Sequence, residues 1–166
     1  NRMIGKIILE KIIFKDGLIF PTTNYLLYSN KEVSSIYKNK LRKKIFTDFK
    51  MKLPNKKFEL NNLTETSIII NNIVGLIREK IKTGRLLFTY NIQYGFFRNL
   101  IGGALIGILI SLTNIFISIF KNNETFLTYS IACLVIFLIP IVISKFIMNE
   151  LGKLYADRLF NEYLLS

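Results

Sequence analysis

A run of 21 residues without a charged side chain, residues 100–120, constrains this chain more than any other feature. At a rise of about 1.5 Å per residue, a helix of that length reaches roughly 30 Å, the thickness of the hydrocarbon core of a bilayer. A second apolar run, residues 126–144, follows a polar turn at residues 121–125. Pro140 lies inside it and predicts a kink covered by a neighbouring helix. Two such runs this close together predict a transmembrane helical hairpin.

The charged residues are concentrated before the hairpin. Of the 23 Lys and Arg, 19 precede residue 100, together with seven of the 11 Asp and Glu, so this half carries the whole formal net charge of +12. Cytoplasmic segments beside membrane helices carry an excess of positive charge. We therefore expect a plasma (inner) membrane protein with both termini in the cytoplasm and only the turn outside. Part of the lysine count fits a coding bias, because the chain is also rich in Ile and Asn.

The charge and hydropathy pattern divides the chain into three regions. We predict a cytoplasmic or interfacial helical region at residues 1–98, a transmembrane hairpin at residues 99–147 and a cytoplasmic C-terminal helix at residues 148–166. The predicted fold class is an all-α membrane protein, with a basic cytoplasmic helical N-terminal half, a two-helix transmembrane hairpin and a cytoplasmic helical extension. Since the chain begins with Asn1, we expect its natural start to lie further upstream.

Apolar residues at helical spacing predict helices in the N-terminal half. We predict that residues 3–15 form a first helix, which packs on the rest of this half, lies on the bilayer surface or is the tail of a further spanning helix. A short turn or helix follows Pro21. Residues 145–165 are expected to continue the second span and to pack on the N-terminal half. Their predicted apolar side is formed by Ile147, Leu151, Leu154, Tyr155 and Leu159.

Two longer helices are predicted in the N-terminal half. A capping box formed by Ser29 and Glu32 opens the first, which ends near Phe49. Its predicted apolar face is formed by Val33, Ile36, Tyr37, Leu41, Ile45 and Phe49. Residues 50–63 are expected to form a loop, and a further helix extends from residue 64 or 65 to residue 82. Its apolar stripe is formed by Ile69, Ile70, Ile73, Val74, Ile77 and Ile81.

Small and polar side chains form one stripe on the first span, within an arc of about 80°. Its members are Gly103, Gly107, Ser111, Asn114 and Ser118. A GxxxG pair lets a second helix approach closely, and an asparagine within a bilayer should pair with protein or face water. The stripe is therefore predicted to serve helix packing or pore lining. It packs within the hairpin, lines a pore between copies, or mediates symmetric association without a pore.

A basic flank accompanies the first of the two longer helices. Its members are Lys38, Lys40, Arg42, Lys43 and Lys44. Such a run is most often a solvated face or a signal that directs topology. Anionic lipid headgroups or a cytoplasmic partner are the alternatives. Nucleic acid is not favoured, because no recognised binding motif accompanies the charge.

The segment before the first span is rich in aromatic residues and contains a run of the form NIxYGFxRN. The matching residues are Asn91, Ile92, Tyr94, Gly95, Phe96, Arg98 and Asn99. Together with FPTTNYLLYS at residues 20–29, this run resembles a family of small bacterial two-span membrane proteins without an assigned function. The resemblance implies the membrane topology and no activity. The residue types themselves predict an interfacial or hinge zone, formed by Asn91, Tyr94, Gly95, Arg98 and Asn99, in which Arg98 can reach phosphate.

The composition does not favour an enzyme. The chain has no histidine, a single cysteine (Cys133) and no phosphate-binding loop, nucleophile elbow or metalloprotease motif. We therefore expect no catalytic residue, cofactor or metal.

Two functional hypotheses remain. The leading one is a small oligomeric pore-forming or membrane-perturbing effector gated by its cytoplasmic half, by fold-level analogy with two-span effectors of bacterial anti-phage defence. The alternative is a non-conducting membrane anchor or accessory subunit that recruits a cytoplasmic partner through residues 29–60. Expected partners are the lipid bilayer, further copies of the chain, and a cytoplasmic protein or small-molecule signal.

Overall fold

The computed structural model describes residues 20–81 and 85–166, and only the backbone of residues 85–87. These ranges contain six helices and no strand, which confirms the all-helical prediction for them. The helices are α1 (Pro21–Leu26), α2 (Ser35–Phe49), α3 (Lys56–Asn61), α4 (Leu63–Lys80), α5 (Arg85–Phe120) and α6 (Glu124–Leu165). The helix predicted over residues 3–15 lies outside the described residues.

The two longest helices, α5 and α6, form a hairpin. They contain 36 and 42 residues, or about 54 and 63 Å of helix. Both are long and apolar enough to cross a membrane, and both extend well beyond their apolar segments, residues 100–120 and 126–144. Only 6% of the most apolar window of α6 is buried, unlike the core helix of a soluble protein.

The turn of the hairpin depends on two asparagines. Asn122 has a φ of 46°, in the left-handed region that asparagine tolerates better than most residues. The side chain of Asn123 caps α6, because its Oδ1 accepts a hydrogen bond from the N–H of Phe126 at 3.0 Å. α6 then continues through Pro140 without interruption.

Helices α1–α4 form a helical head (residues 20–81) that packs on the C-terminal part of α6. The shared core is formed by Leu26, Leu41, Ile45, Ile70, Ile73, Val74 and Ile77 from the head and by Ala156, Leu159, Phe160 and Tyr163 from α6. Burial of each large aliphatic side chain contributes about 1.5–3 kcal/mol. The stripe predicted for α4 is therefore confirmed, as is the packing of the C-terminal extension on the N-terminal half.

The start of α2 and the loop after it differ from the prediction. α2 is capped by Ser34, whose Oγ accepts a hydrogen bond from the N–H of Tyr37 at 3.2 Å. The predicted capping box is wrong, since Glu32 pairs with Lys153 at 3.0 Å instead. The region expected to be a loop contains α3, which Asn55 caps through a 2.8 Å hydrogen bond from the N–H of Phe58.

Two predicted apolar faces are rotated relative to the structure. In α2, Ile36 is 81% exposed, whereas Lys38 is buried on the same side as Leu41 and Ile45. In the C-terminal part of α6, Leu154 is half exposed, and Gly152 is buried instead. A Cβ at Gly152 would lie 2.4 Å from Cγ of Pro21, so the head approaches α6 at the residue that has no side chain. Periodicity in apolar residues alone does not detect such a contact.

Candidate functional site

The small and polar stripe of α5 lies largely inside the hairpin. Gly107, Ser111 and Ser118 are buried, whereas Gly103 and Asn114 are half-buried. Each serine satisfies its hydroxyl within α5: Ser111 Oγ donates to the carbonyl oxygen of Gly107 at 2.8 Å, and Ser118 Oγ to that of Asn114 at 2.6 Å. The buried part of the stripe is therefore used for packing within one chain.

A close helix contact explains the burial of Gly107. A Cβ at this position would lie 2.6 Å from Cγ of Phe137, so the aromatic ring rests directly on the glycine backbone. On α6, Ser130 is buried and bonded to its own helix, but Cys133 is exposed. Asn114 differs from the serines, because its side-chain amide has no hydrogen-bond partner among the residues described.

A cavity of about 400 Å³ lies where the head meets the hairpin; we call it the junction cavity. Its polar and aromatic walls include Thr22, Asn71, Arg78, Asn91, Tyr94, Arg98 and Tyr155. On both α4 and α5 an asparagine is followed by an arginine seven residues later. Residues seven apart share one face of a helix, so each helix presents an amide and a guanidinium to the cavity.

The junction cavity is positively charged. Arg78 Nη2 lies 3.4 Å from Thr22 Oγ1, and its guanidinium carbon lies 5.4 Å from the centre of the Tyr155 ring. Arg98 Nε is buried and has no hydrogen-bond partner in the part of the chain that the structure describes. The described lining includes no carboxylate. Two guanidinium groups without an acidic neighbour in the wall form a site for an anion.

The predicted hinge residues separate into two groups. Asn91, Tyr94 and Arg98 meet in the junction cavity. Gly95 and Asn99 do not line it, and a Cβ at Gly95 would meet nothing within 4 Å among the described residues. In the part of the chain that the structure describes, close approaches at a glycine occur at Gly107 and Gly152.

The residues that the head contributes to the cavity are not among the predicted site residues. The available signal was the Asn-to-Arg spacing of seven, which occurs at Asn71 and Arg78 and again at Asn91 and Arg98. This spacing does not predict that the two faces, one on α4 and one on α5, point at each other. They do so only because the head, which contains α4, packs on α6.

The predicted basic patch also separates into two groups. Lys38 is buried, and its Nζ donates to the carbonyl oxygens of Leu27, at 2.6 Å, and Asn30. Removal from water lowers the pKa of Lys38. Arg42 lies 4.0 Å above the Tyr28 ring and donates to the carbonyl oxygen of Pro54 at 2.7 Å. These two residues hold the head together and are not available to a ligand, so their assignment to a surface patch is wrong.

Of the remaining basic residues, Lys40 and Lys43 lie on the opposite side of α2. Ile36, Lys40, Lys43 and Thr47 are exposed and spaced at intervals of four, three and four, which places them on one side of the helix. We call this side the outer face of α2. Lys44 is half-buried, with its Nζ 5.4 Å from the centre of the Tyr163 ring.

Within residues 20–81 and 85–166, no group of three His, Cys, Asp or Glu side chains is arranged to hold a metal ion. No family model, curated protein or solved structure matches this chain significantly. The candidate functional features of the structure are the junction cavity, the hairpin interface and the outer face of α2.

Proposed function

We propose that this chain is a non-conducting membrane anchor that holds its helical head at the cytoplasmic surface and recruits a cytoplasmic protein. The observation that carries the proposal is the burial of the small and polar stripe inside a single hairpin, with Gly107 under Phe137 and the hydroxyls of Ser111 and Ser118 bonded to their own helix. The exposed surface of the apolar segments is then mostly Leu, Ile, Val and Phe. That surface suits lipid and not a water-filled conduit.

The position of the head supports a protein partner for the outer face of α2. Tyr37 Oη donates to Asn161 Oδ1 at 2.6 Å, which joins α2 to the far end of α6. Asn161 is 16 residues beyond Lys145, the first charge after the second apolar segment, or about 24 Å along the helix. This exceeds both the depth of the headgroup zone and the Debye length of about 8 Å at physiological salt. Lys40 and Lys43 are then too far from the headgroups to bind them strongly.

The composition of the outer face indicates the chemistry of that partner. Ile36, which is 81% exposed, lies about one turn before Lys40 and two turns before Lys43, and both lysines face solvent on the same side of the helix. An exposed aliphatic side chain next to positive charge fits a protein surface with an apolar patch beside acidic side chains. We therefore infer that the recruited partner presents such a surface.

Reconstitution tests whether the anchor conducts. The purified full-length chain is inserted into vesicles of phosphatidylcholine and phosphatidylglycerol that contain a self-quenching dye and potassium. Dye release and potassium efflux are expected to equal those of protein-free vesicles at every protein density, while a pore-forming peptide serves as the positive control. Leakage that rises with protein density would contradict the proposal.

Cross-linking in cells tests recruitment. A photo-reactive amino acid at Ile36 is expected to give a defined protein adduct, and the double substitution Lys40→Glu, Lys43→Glu should remove it. The same probe at Ile68, an exposed aliphatic residue of α4, is the matched control and should not give that adduct. Adducts that form equally from both positions, or with lipid alone, would exclude recruitment by the outer face.

A second candidate, an oligomeric pore-forming effector, is favoured by one observation. The Asn114 amide is half-buried in an apolar segment and has no hydrogen-bond partner in the described chain. Pairing of this amide between copies would satisfy it and bring several hairpins together. Under this reading the vesicles leak, Asn114→Val abolishes leakage and Thr113→Val, an exposed neighbour bonded to its own helix, does not. A smaller detergent complex for Asn114→Val without leakage from the native chain would indicate association without conduction.

A further inference from the structure

We propose that the junction cavity binds a phosphate group of an anionic ligand at the membrane surface. The two guanidinium groups, of Arg78 and Arg98, line a space of about 400 Å³ whose described walls contain no carboxylate. Arg98 Nε is buried and has no hydrogen-bond partner among the described residues, which is costly unless a ligand or water accepts its hydrogen bond. Planar guanidinium groups bind phosphate oxygens in pairs of parallel hydrogen bonds, so phosphate is the anion that suits this pair best.

The walls of the cavity orient these donors. Arg78 is held over the Tyr155 ring and beside Thr22 Oγ1, which keeps its guanidinium at the cavity wall. Asn91 lines the same cavity from the α5 side. An amide donates and accepts, so it can bind either a further phosphate oxygen or a hydroxyl of the group that the phosphate carries. The volume exceeds that of a phosphate alone, and the ligand is therefore a phosphate ester.

The position of the cavity along the hairpin favours a lipid headgroup. Arg98 lies two residues before the first apolar segment, or about 3 Å along the helix, and Gly152 lies seven residues beyond Lys145, or about 10 Å. The headgroup zone on each side of a bilayer is about 5–8 Å deep. Phospholipid phosphates are then at the level of the Arg98 side of the cavity, in contrast to the outer face of α2. The inference goes beyond anchoring and recruitment, and it depends only on the two helices crossing the membrane.

Native mass spectrometry of the full-length chain tests the site. The chain is purified in mild detergent and titrated with phosphatidylglycerol or phosphatidylcholine. We expect one phosphatidylglycerol to be retained at least about tenfold more tightly than phosphatidylcholine, and this preference to be lost in Arg98→Gln and Arg78→Gln. Lys145→Gln is the matched control: this exposed lysine lies at the same level of the hairpin but outside the cavity, and its loss should leave the preference intact.

Soluble competitors separate the two sources of phosphate. If millimolar glycerol 3-phosphate and inorganic phosphate fail to displace the lipid, the ligand is a headgroup. If they displace it and raise the melting temperature of the native chain but not of Arg78→Gln, the ligand is a soluble phosphate ester. Arg78 is exposed, so its substitution should not prevent folding. Arg78→Gln therefore tests the site even if Arg98→Gln does not fold. Equal retention of both lipids, or equal loss in Lys145→Gln, would overturn the site. Neither result depends on leakage or cross-linking, so failure here is distinct from failure of the proposed anchor.

Discussion

Glu59 shows how a single buried carboxylate organises the head. Its two oxygens accept hydrogen bonds from the backbone N–H groups of Tyr28, at 2.7 Å, and Ser29, at 2.8 Å. It also lies near two cations, the buried Lys38 and the half-buried Arg42. The side chain therefore fixes the segment between α1 and α2 onto α3, in the region where the sequence had predicted only a loop.

Replacement of Glu59 by glutamine should destabilise the head. The amide offers one acceptor where the carboxylate offers two, so one backbone donor loses its partner, and the nearby cations lose their counter-charge. We expect Glu59→Gln to lower the free energy of unfolding by about 1–3 kcal/mol, measured by chemical denaturation in detergent. Glu65→Gln, an exposed carboxylate on α4, is the control and should change stability by less than about 0.5 kcal/mol. Equal effects of the two substitutions would contradict this role for Glu59.

Asp48 makes the stability of the head dependent on acid. Lys80 Nζ lies 2.7 Å from Asp48 Oδ2, and Tyr163 Oη donates to the same oxygen at 2.8 Å. The hydrogen bond from Lys80, followed by that from Tyr163, lowers the pKa of Asp48. Because the pKa of Asp48 is lower in the folded chain than in the unfolded chain, the ionised carboxylate stabilises the fold. This stabilisation is complete above the pKa of an unfolded Asp, about 3.9. This stabilisation is lost as the pH falls through the folded pKa.

The acid dependence can be tested by removing this carboxylate. Asp48→Asn should reduce stability at pH 7 by about 1 kcal/mol, a small value because the pair is partly exposed, or about 2–4 °C in melting temperature. The fall in melting temperature of the native chain below about pH 4 should become shallower in the variant. Melting followed by circular dichroism across this pH range measures both effects. An identical acid profile for the two proteins would show that Asp48 is not responsible.

At the scale of elements, the hairpin interface includes a glycine at which the two helices are in close contact. A methyl group at Gly107 would collide with the Phe137 ring, whereas a methyl group at Gly95 would meet none of the described residues within 4 Å. We expect Gly107→Ala to destabilise the hairpin by about 1–3 kcal/mol through overpacking. Gly95→Ala, on the same helix, should be neutral or stabilising by up to about 1 kcal/mol. Thermal unfolding in detergent compares the two, and a reversed order would contradict the packing.

The sequence predicts some of the helices better than others. The stripe of α4 and the apolar segments of α5 and α6 depend only on apolar periodicity and length, and both were predicted correctly. α2 was predicted with the wrong cap and a rotated face, because its buried side includes Lys38, a residue that periodicity assigns to solvent. α3 has six residues, too few to show a helical period. The local sequence pattern therefore predicts the buried face of a helix where the buried residues are hydrophobic. It does not predict that face where a charged residue is buried and hydrogen-bonded.

At the scale of the whole molecule, the junction cavity depends on tertiary packing. Asn91, Tyr94 and Arg98 were predicted as one group because they are neighbours on α5, and the structure brings all three to the cavity. Arg78 and Thr22 reach the same space only because α1 rests on Gly152 and α4 packs beside it. No local feature of the sequence predicts that contact. The α5 side of the cavity could therefore be predicted, and the side formed by the head could not.

We expect the distribution of charge to set the orientation of the molecule in a membrane. The head and the extended ends of α5 and α6 share one end of the hairpin, opposite the turn, and 19 of the 23 basic residues precede residue 100. Because positive segments stay in the cytoplasm, we expect only the turn to be outside the cell. In a Cys133→Ala background, which removes the one native thiol, Lys121→Cys in the turn should react with a membrane-impermeant maleimide on intact cells.

Lys57→Cys, on the exposed surface of the head, is the matched probe and should react only after the membrane is permeabilised. Reaction at Lys57→Cys alone in intact cells would mean the inverted orientation. Reaction at both positions, with the chain recovered in the soluble fraction, would show that α5 and α6 do not cross a membrane. Because the head is packed on α6, the whole head lies on one side of the membrane once the hairpin is inserted. In intact cells only one of the two probes should therefore react.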